Sequence, residues 1–175
     1  MKETFQNFKG IASDWIGSRI PGPFKETTQL RAFGFLKIPL LFFVSPSVLE
    51  LTDKRCVVKV PLTRRSRNHL KSMYFGALCI GADCAGGLIA YRAIEDSGEN
   101  VSLIFKDFKA EFLKRAEGDV HFVCETGSEI RAAVRMAILT GERQSIPVPL
   151  VALIPALFGS EPIARFELTL SLKKR

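Results

Sequence analysis

Asn68-His69-Leu70-Lys71-Ser72-Met73-Tyr74-Phe75-Gly76-Ala77 is a polar loop that runs straight into a long apolar segment. From Met73 to Ile94 that segment is apolar on nearly every side and is interrupted by Gly76, Ala77, Gly81, Ala82, Ala85, Gly86 and Gly87. A helix of this composition belongs at the centre of a fold, wrapped by other structure. Each glycine costs about 1 kcal/mol in a helix interior relative to alanine. The glycines therefore imply compensation by close packing against a sheet or a partner helix. Asp83 is the one acid between Met73 and Ala93. A buried carboxylate without a partner is expensive, so Asp83 is read as a functional group, with pairing to Arg92 or to a dimer partner as the alternative. A polar loop feeding a glycine at a helix mouth, with a carboxylate further along, is an arrangement from which an oxyanion-binding site can be built.

Outward from this helix the pattern is β. Val48, Leu49 and Leu51, the turn Thr52-Asp53-Lys54-Arg55, and Cys56-Val57-Val58-Lys59-Val60 predict a hairpin. After the helix, Val101 to Leu113 predicts a long strand in which Leu103, Phe105, Asp107, Lys109 and Glu111 share one face. Val120 to Thr126 predicts another strand, Glu129 to Leu139 a short helix ending at Gly141, and Ile146 to Ile154 and Ile163 to Leu172 two more strands. Ahead of the hairpin, residues 3 to 20 carry Phe5, Phe8, Ile11, Trp15 and Ile16 at helical spacing, up to Pro21-Gly22-Pro23. Thr27 to about Val44 predicts a Phe-rich helix, capped by Thr27 or Thr28 and kinked or ended by Pro39. The order describes an α+β domain, one antiparallel sheet curled around one helix, with added N-terminal helices.

With 175 residues and 47% hydrophobic content, the chain is most simply one folded domain. Its net charge of +7 favours an anionic partner: nucleic acid, a lipid surface or a phosphorylated small molecule. Cys56, Cys79, Cys84 and Cys124 lack Cys-x-x-Cys spacing, and His69 and His121 are the only histidines, so no metal site is expected and the thiols read as reduced core residues. His121 alternates with apolar neighbours and reads as structural. Residues 1 to 24 mix charges throughout and show no secretory pattern, so a cytoplasmic location is expected. The apolar run Phe33 to Val48 is broken by Lys37, Pro39 and Pro46 and is too short for a membrane span. A helix packed on the domain is expected there, with a helix lying on a membrane surface as the alternative, and no stable membrane insertion.

The strand order and the helix entrance together resemble the hotdog-fold acyl-CoA thioesterases, particularly the branch like the phenylacetate-pathway thioesterase. In that branch the helix is entered through Asn, five residues, His-Gly-Gly, and an acid seven residues beyond the last glycine. Here Asn68, five residues, Tyr74-Phe75-Gly76 and Asp83 keep every spacing. Ala110-Glu111-Phe112-Leu113-Lys114-Arg115-Ala116-Glu117-Gly118-Asp119 is similar to the family's strand ending in Phe-Leu, a basic or Pro position, and Gly-Asp. The resemblance divides the chain into an N-terminal helical extension, residues 1–46, and a hotdog domain, residues 47–175.

What the resemblance implies is hydrolysis of an acyl-CoA thioester, with coenzyme A as part of the substrate and no further cofactor; the abundance of Phe and Leu around the helix points to a medium to long acyl chain. It gives Asp83 the role of general base or nucleophile and the Phe75 N–H, beside Gly76, the role of oxyanion donor. Asn68 positions water or the acyl carbonyl, or else anchors the loop. Tyr74 is expected to wall the pocket, and Arg64, Arg65, Lys71, Lys114 and Arg115 to meet the phosphates of coenzyme A or to form a solvated basic rim. Self-association as a dimer or tetramer is expected, with each site formed between two subunits. Because Tyr74-Phe75 stands where the family has His-Gly, the alternative is a non-catalytic acyl-CoA or fatty-acid binding protein on the same fold. A nucleic-acid partner is not expected, since the Phe residues follow core periodicities.

Overall fold

A computed structural model describes residues 22–175. The helix expected over residues 3 to 20 lies outside the described residues. Within them are six strands: β1 (Ser47–Leu51), β2 (Cys56–Val60), β3 (Val101–Phe112), β4 (Val120–Cys124), β5 (Gln144–Leu153) and β6 (Pro162–Lys174). Helices α1 (Gly22–Lys37) and α2 (Pro39–Phe43) precede β1, α3 (Phe75–Ser97) joins β2 to β3, α4 (Gly127–Thr140) joins β4 to β5, and the single turn α5 (Pro155–Phe158) joins β5 to β6. The strands form one antiparallel sheet in the order β1-β2-β4-β5-β6-β3.

α3 lies against the concave face, and its glycines permit the approach. A Cβ on Gly81 would stand 2.2 Å from a ring carbon of the buried Phe122 on β4, and one on Gly86 would touch Val148 and Leu150 of β5 at 3.5 Å. A bulkier stripe would hold helix and sheet apart. Among the described residues α3 alone is long and apolar enough, by length and composition, to cross a bilayer. Here that character serves the core, where Ala82, Ala85, Ile89 and Ala90 are buried. The helix ends at Gly98, whose φ of 69° is left-handed and suits glycine.

α4 shares the concave face with α3 and stops at Gly141, as its sequence predicts. Arg131 ties it to the β1–β2 turn through Asp53 at 2.9 Å and to the end of α3 through Asp96 at 3.7 Å. Pro147 and Pro149 fit within β5 because β4 pairs only with Leu150 to Leu153. The two missing N–H groups fall where β5 has a ladder partner on one side only.

Two expectations change. Pro39 does break the N-terminal helix, at Ile38, but α1 begins at Gly22 and neither threonine caps it. Pro23 sits in the first turn, where N–H groups have no intrahelical acceptor and a proline is tolerated. Thr27 instead reaches across to β1, its hydroxyl accepting from the Val48 N–H at 2.8 Å, while the Thr28 hydroxyl donates to the Phe24 carbonyl. Arg31 adds bonds to the Pro46 carbonyl and the Ser47 hydroxyl, both at 2.9 Å. Leu30, Leu41 and Val44 thereby join the same core as the sheet.

The second change is in β3, which does not alternate strictly. Its register slips between Phe105 and Asp107, with Lys106 as the extra residue. Leu103 and Phe105 face Leu172 and Leu170, and after the bulge Phe108, Ala110 and Phe112 face Leu168, Phe166 and Ala164. A bulge exchanges the two faces of a strand. Phe108 and Phe112, not Asp107, Lys109 and Glu111, therefore continue the concave face.

Candidate functional site

The loop before α3 is built from the inside out. Ser66 is fully buried, its hydroxyl donating to the Pro61 carbonyl at 2.6 Å and accepting from the Thr63 N–H at 2.9 Å. Its own carbonyl accepts the Tyr74 N–H at 2.8 Å. The Met73 N–H donates to the Ala116 carbonyl at 2.7 Å, so the segment after β3 flanks the helix entrance. Asn68 closes the loop on itself: its Oδ1 accepts from the Leu70 N–H at 2.9 Å and its Nδ2 donates to the Ser72 hydroxyl at 3.1 Å. This is the loop-anchoring geometry. Lys71, with φ of 66°, completes the tight return.

These bonds aim the start of α3 outward. Tyr74 has extended backbone, and the Ala77 and Leu78 N–H groups both turn back to its carbonyl. The Phe75 and Gly76 N–H groups that precede them have no acceptor among the described residues. Two amides at a helix N-terminus, with the helix dipole behind them, can receive developing negative charge on an oxygen. The Tyr74 and Phe75 rings stand beside them, centroids 4.8 Å apart and half exposed. The Tyr74 ring lies over Gly76, where a Cβ would meet it at 2.5 Å.

Asp83 sits two turns along. Burial in apolar surroundings pushes its carboxyl up to about 6 from 3.8, so a small change near neutrality converts it from acid to base. It has no hydrogen-bond or ion-pair partner among the described residues, and Arg92 is engaged with Glu26 at 3.3 Å. The pairing with Arg92 considered from the sequence is not formed. Asp83 looks toward β3: its Oδ1 and the Phe105 ring lie 4.0 Å and 3.4 Å from the point a Cβ on Gly87 would occupy. β3 is one of the sheet's two edge strands, and Ile104, Phe108, Phe112 and Leu113 are exposed on or just beyond it.

The structure therefore gathers Tyr74, Phe75 and Gly76 at one mouth and places Asp83 about two helical turns away from it. Eight residues at a rise of about 1.5 Å put the Phe75 amide and Asp83 about 12 Å apart along the helix axis. Both basic groups flank the mouth. Arg64, Arg65 and Lys71 are exposed and have no acidic partner among the described residues, with the Arg65 guanidinium 5.6 Å above the Phe43 ring. Lys114 and Arg115 are each paired, with Glu161 and Glu117. Burial raises the Cys79 and Cys84 thiols, which opposes a thiolate role. Burial also lowers His121. Among the described residues no three metal-ligating side chains converge. Ser66, Phe108 and Phe112 are not singled out by the sequence: nothing local marks a buried loop serine, and the bulge at Lys106 is what brings Phe108 and Phe112 onto the face of Phe105.

A six-stranded antiparallel sheet wrapped on a long central helix, in this strand order, is the hotdog fold. Solved structures share it at low sequence identity. A protein of unknown function from Chlorobaculum tepidum aligns with a TM-score of 0.75 and 14% identity, over 87% of this chain and 97% of its own. A Pseudomonas aeruginosa protein described as of unknown function and a probable thioesterase aligns with 0.69 and 19%, over 90% and 100%. A thioesterase from Haemophilus influenzae aligns with 0.64 and 12%, over 85% and 90%. No curated protein matches in sequence. Residues 27–153 match the family described as a domain of unknown function, DUF4442, and the chain belongs to that family.

Proposed function

We propose that this protein hydrolyses acyl-CoA thioesters of medium to long chain, with the Phe75 N–H polarising the thioester carbonyl and Asp83 activating water or attacking directly. The observation that carries this reading is Asp83 itself, a carboxylate without a partner among the described residues, held near neutrality by burial and lying toward the edge strand β3. The helical separation of about 12 Å exceeds the reach of one carbonyl group. The amide and the carboxylate must then come from two protomers, with β3 as the joining edge. Phe105, Phe108 and Phe112 on one face of β3 offer the acyl chain an apolar wall. Arg64, Arg65 and Lys71 supply unpaired cations for the phosphates of coenzyme A. The two rings at the helix mouth favour one second reading, a protein that binds acyl-CoA without turning it over.

Release of free coenzyme A thiol from acyl-CoAs of increasing chain length, by wild type and Asp83→Asn, tests the proposal. General-base or nucleophilic use of Asp83 predicts a loss of roughly 100-fold or more. Tight binding with no release by the wild type establishes the second reading instead.

A further inference from the structure

The α1–α2 elbow is apolar on both sides. Its inner side supplies Leu30, Leu41 and Val44 to the core, while its outer side leaves Phe35 and Leu40 65% exposed, Leu36 56% and Phe43 50%. The elbow is tight because Gly34 admits the α2 backbone: a Cβ there would stand 2.8 Å from the Phe42 nitrogen. Phe35 and Phe42 meet edge to face at 5.3 Å, and Arg65 over Phe43 joins this ridge to the basic loop before α3. Lys37 is the only charged residue from Phe33 to Val44. An exposed apolar ridge of this kind marks a docking surface.

Its charge says what docks. No Asp or Glu occurs from Thr27 to Leu49, nor from Lys54 to Ala82. Lys37, Arg64, Arg67 and Lys71 have no acidic partner among the described residues, whereas Lys59, Lys109, Lys114, Arg131 and Arg165 each have one. A second copy presenting the same face would bring like charge against like charge. A nucleic acid would satisfy the cations and leave Leu36, Ile38 and Leu40 in water. An anionic lipid surface satisfies both halves, with aromatic and aliphatic side chains at the headgroup boundary and cations against the phosphates. We propose that the α1–α2 elbow and the adjoining basic loop dock this protein on anionic bilayer surfaces, peripherally and without spanning. This goes beyond the proposed hydrolysis and does not depend on Asp83.

Flotation of the full chain with vesicles of phosphatidylcholine, with and without phosphatidylserine, tests it. Expected is retention on the anionic vesicles, at least about tenfold weaker on the neutral ones and progressively lost between about 0.1 M and 1 M salt. Leu36→Ser with Leu40→Ser, and separately Lys37→Glu with Arg67→Glu, should each weaken retention about tenfold or more. Thiol release from acyl-CoA kept below its micelle concentration should persist in the Leu36/Leu40 variant, which separates failure of docking from failure of hydrolysis. Equal retention on both vesicle types, retention on neither, or indifference to salt overturns the proposal, and the wild-type measurements decide even if a variant misfolds. A concentration-dependent oligomer that the Leu36/Leu40 variant dissolves, with no vesicle retention by the wild type, assigns the face to a second copy instead.

Discussion

Asp83→Asn should lower activity by roughly 100-fold or more and stabilise the fold, and the gain should depend on pH. In the folded chain the Asp83 carboxyl is pushed up by burial to about 6, against 3.8 for the ordinary side chain. Well below pH 3.8 both states carry the proton and the pH-dependent cost vanishes. Between about 4 and 6 the folded chain retains a proton that the unfolded chain has released, so folding stability falls as pH rises through this window. Above about 6 the full cost is present. The gap between the two values, at about 1.4 kcal/mol per pH unit, gives about 3 kcal/mol. The pH-dependent part is the cleaner quantity, because asparagine brings its own buried amide. Urea unfolding of both proteins at pH 4 and pH 8 should show the variant gaining on the wild type by roughly 2 to 3 kcal/mol between the two, because part of the cost is already present at pH 4. Parallel pH profiles, with a difference under about 0.5 kcal/mol, would show that Asp83 is solvated or paired in the folded protein and would remove the basis for its catalytic role. The same carboxyl predicts thiol release that rises as pH climbs through about 6 and levels off above it.

Phe75 occupies the first helical position after an extended Tyr74, a place proline accepts. Phe75→Pro therefore deletes the proposed oxyanion donor with little strain and should cost roughly 100- to 1,000-fold in turnover, far more than Phe75→Ala; equal losses would assign the role to the ring. Gly81→Val should cost about 1–3 kcal/mol by urea unfolding, since its side chain would enter the space of the buried Phe122 ring, and an unchanged midpoint would show that α3 can lift off the sheet. Ellman's reagent should reach Cys79, the one half-buried thiol, slowly, and leave Cys56, Cys84 and Cys124 untouched until denaturant is added; rapid modification of all four in the native state would contradict the packing.

Much of this architecture is legible in the residues. Small residues in an otherwise apolar helix predict close packing on all sides, and Gly81 and Gly86 pack against the sheet accordingly. The hairpin follows from its turn, where the Thr52 hydroxyl accepts from the Lys54 and Arg55 N–H groups. Local hydrogen bonding and local periodicity are properties of neighbours in the chain. Other features are not local. The extra residue at Lys106 is set by the register of β3 on β6 and exchanges the faces of half a strand. Thr27 has the chemistry of a cap, yet its hydroxyl is drawn to Val48, 21 residues away. Asn68 fits either a catalytic or an anchoring role by type, and only the closeness of Ser72 turns its carboxamide into the loop.

By itself, the sequence determined an α+β domain with one buried helix, an acid on that helix, and a glycine at its mouth. Those conclusions follow from side-chain volume, polarity and spacing along a single element. Tertiary structure decided that, among the described residues, Asp83 has no partner and the Phe75 and Gly76 amides have no acceptor, and that the Asp83 carboxyl lies toward the edge strand β3. It also decided that the outer side of the α1–α2 elbow stays exposed beside unpaired cations. Burial and pairing depend on what the rest of the chain brings within a few ångströms, and neighbours in sequence do not carry that information.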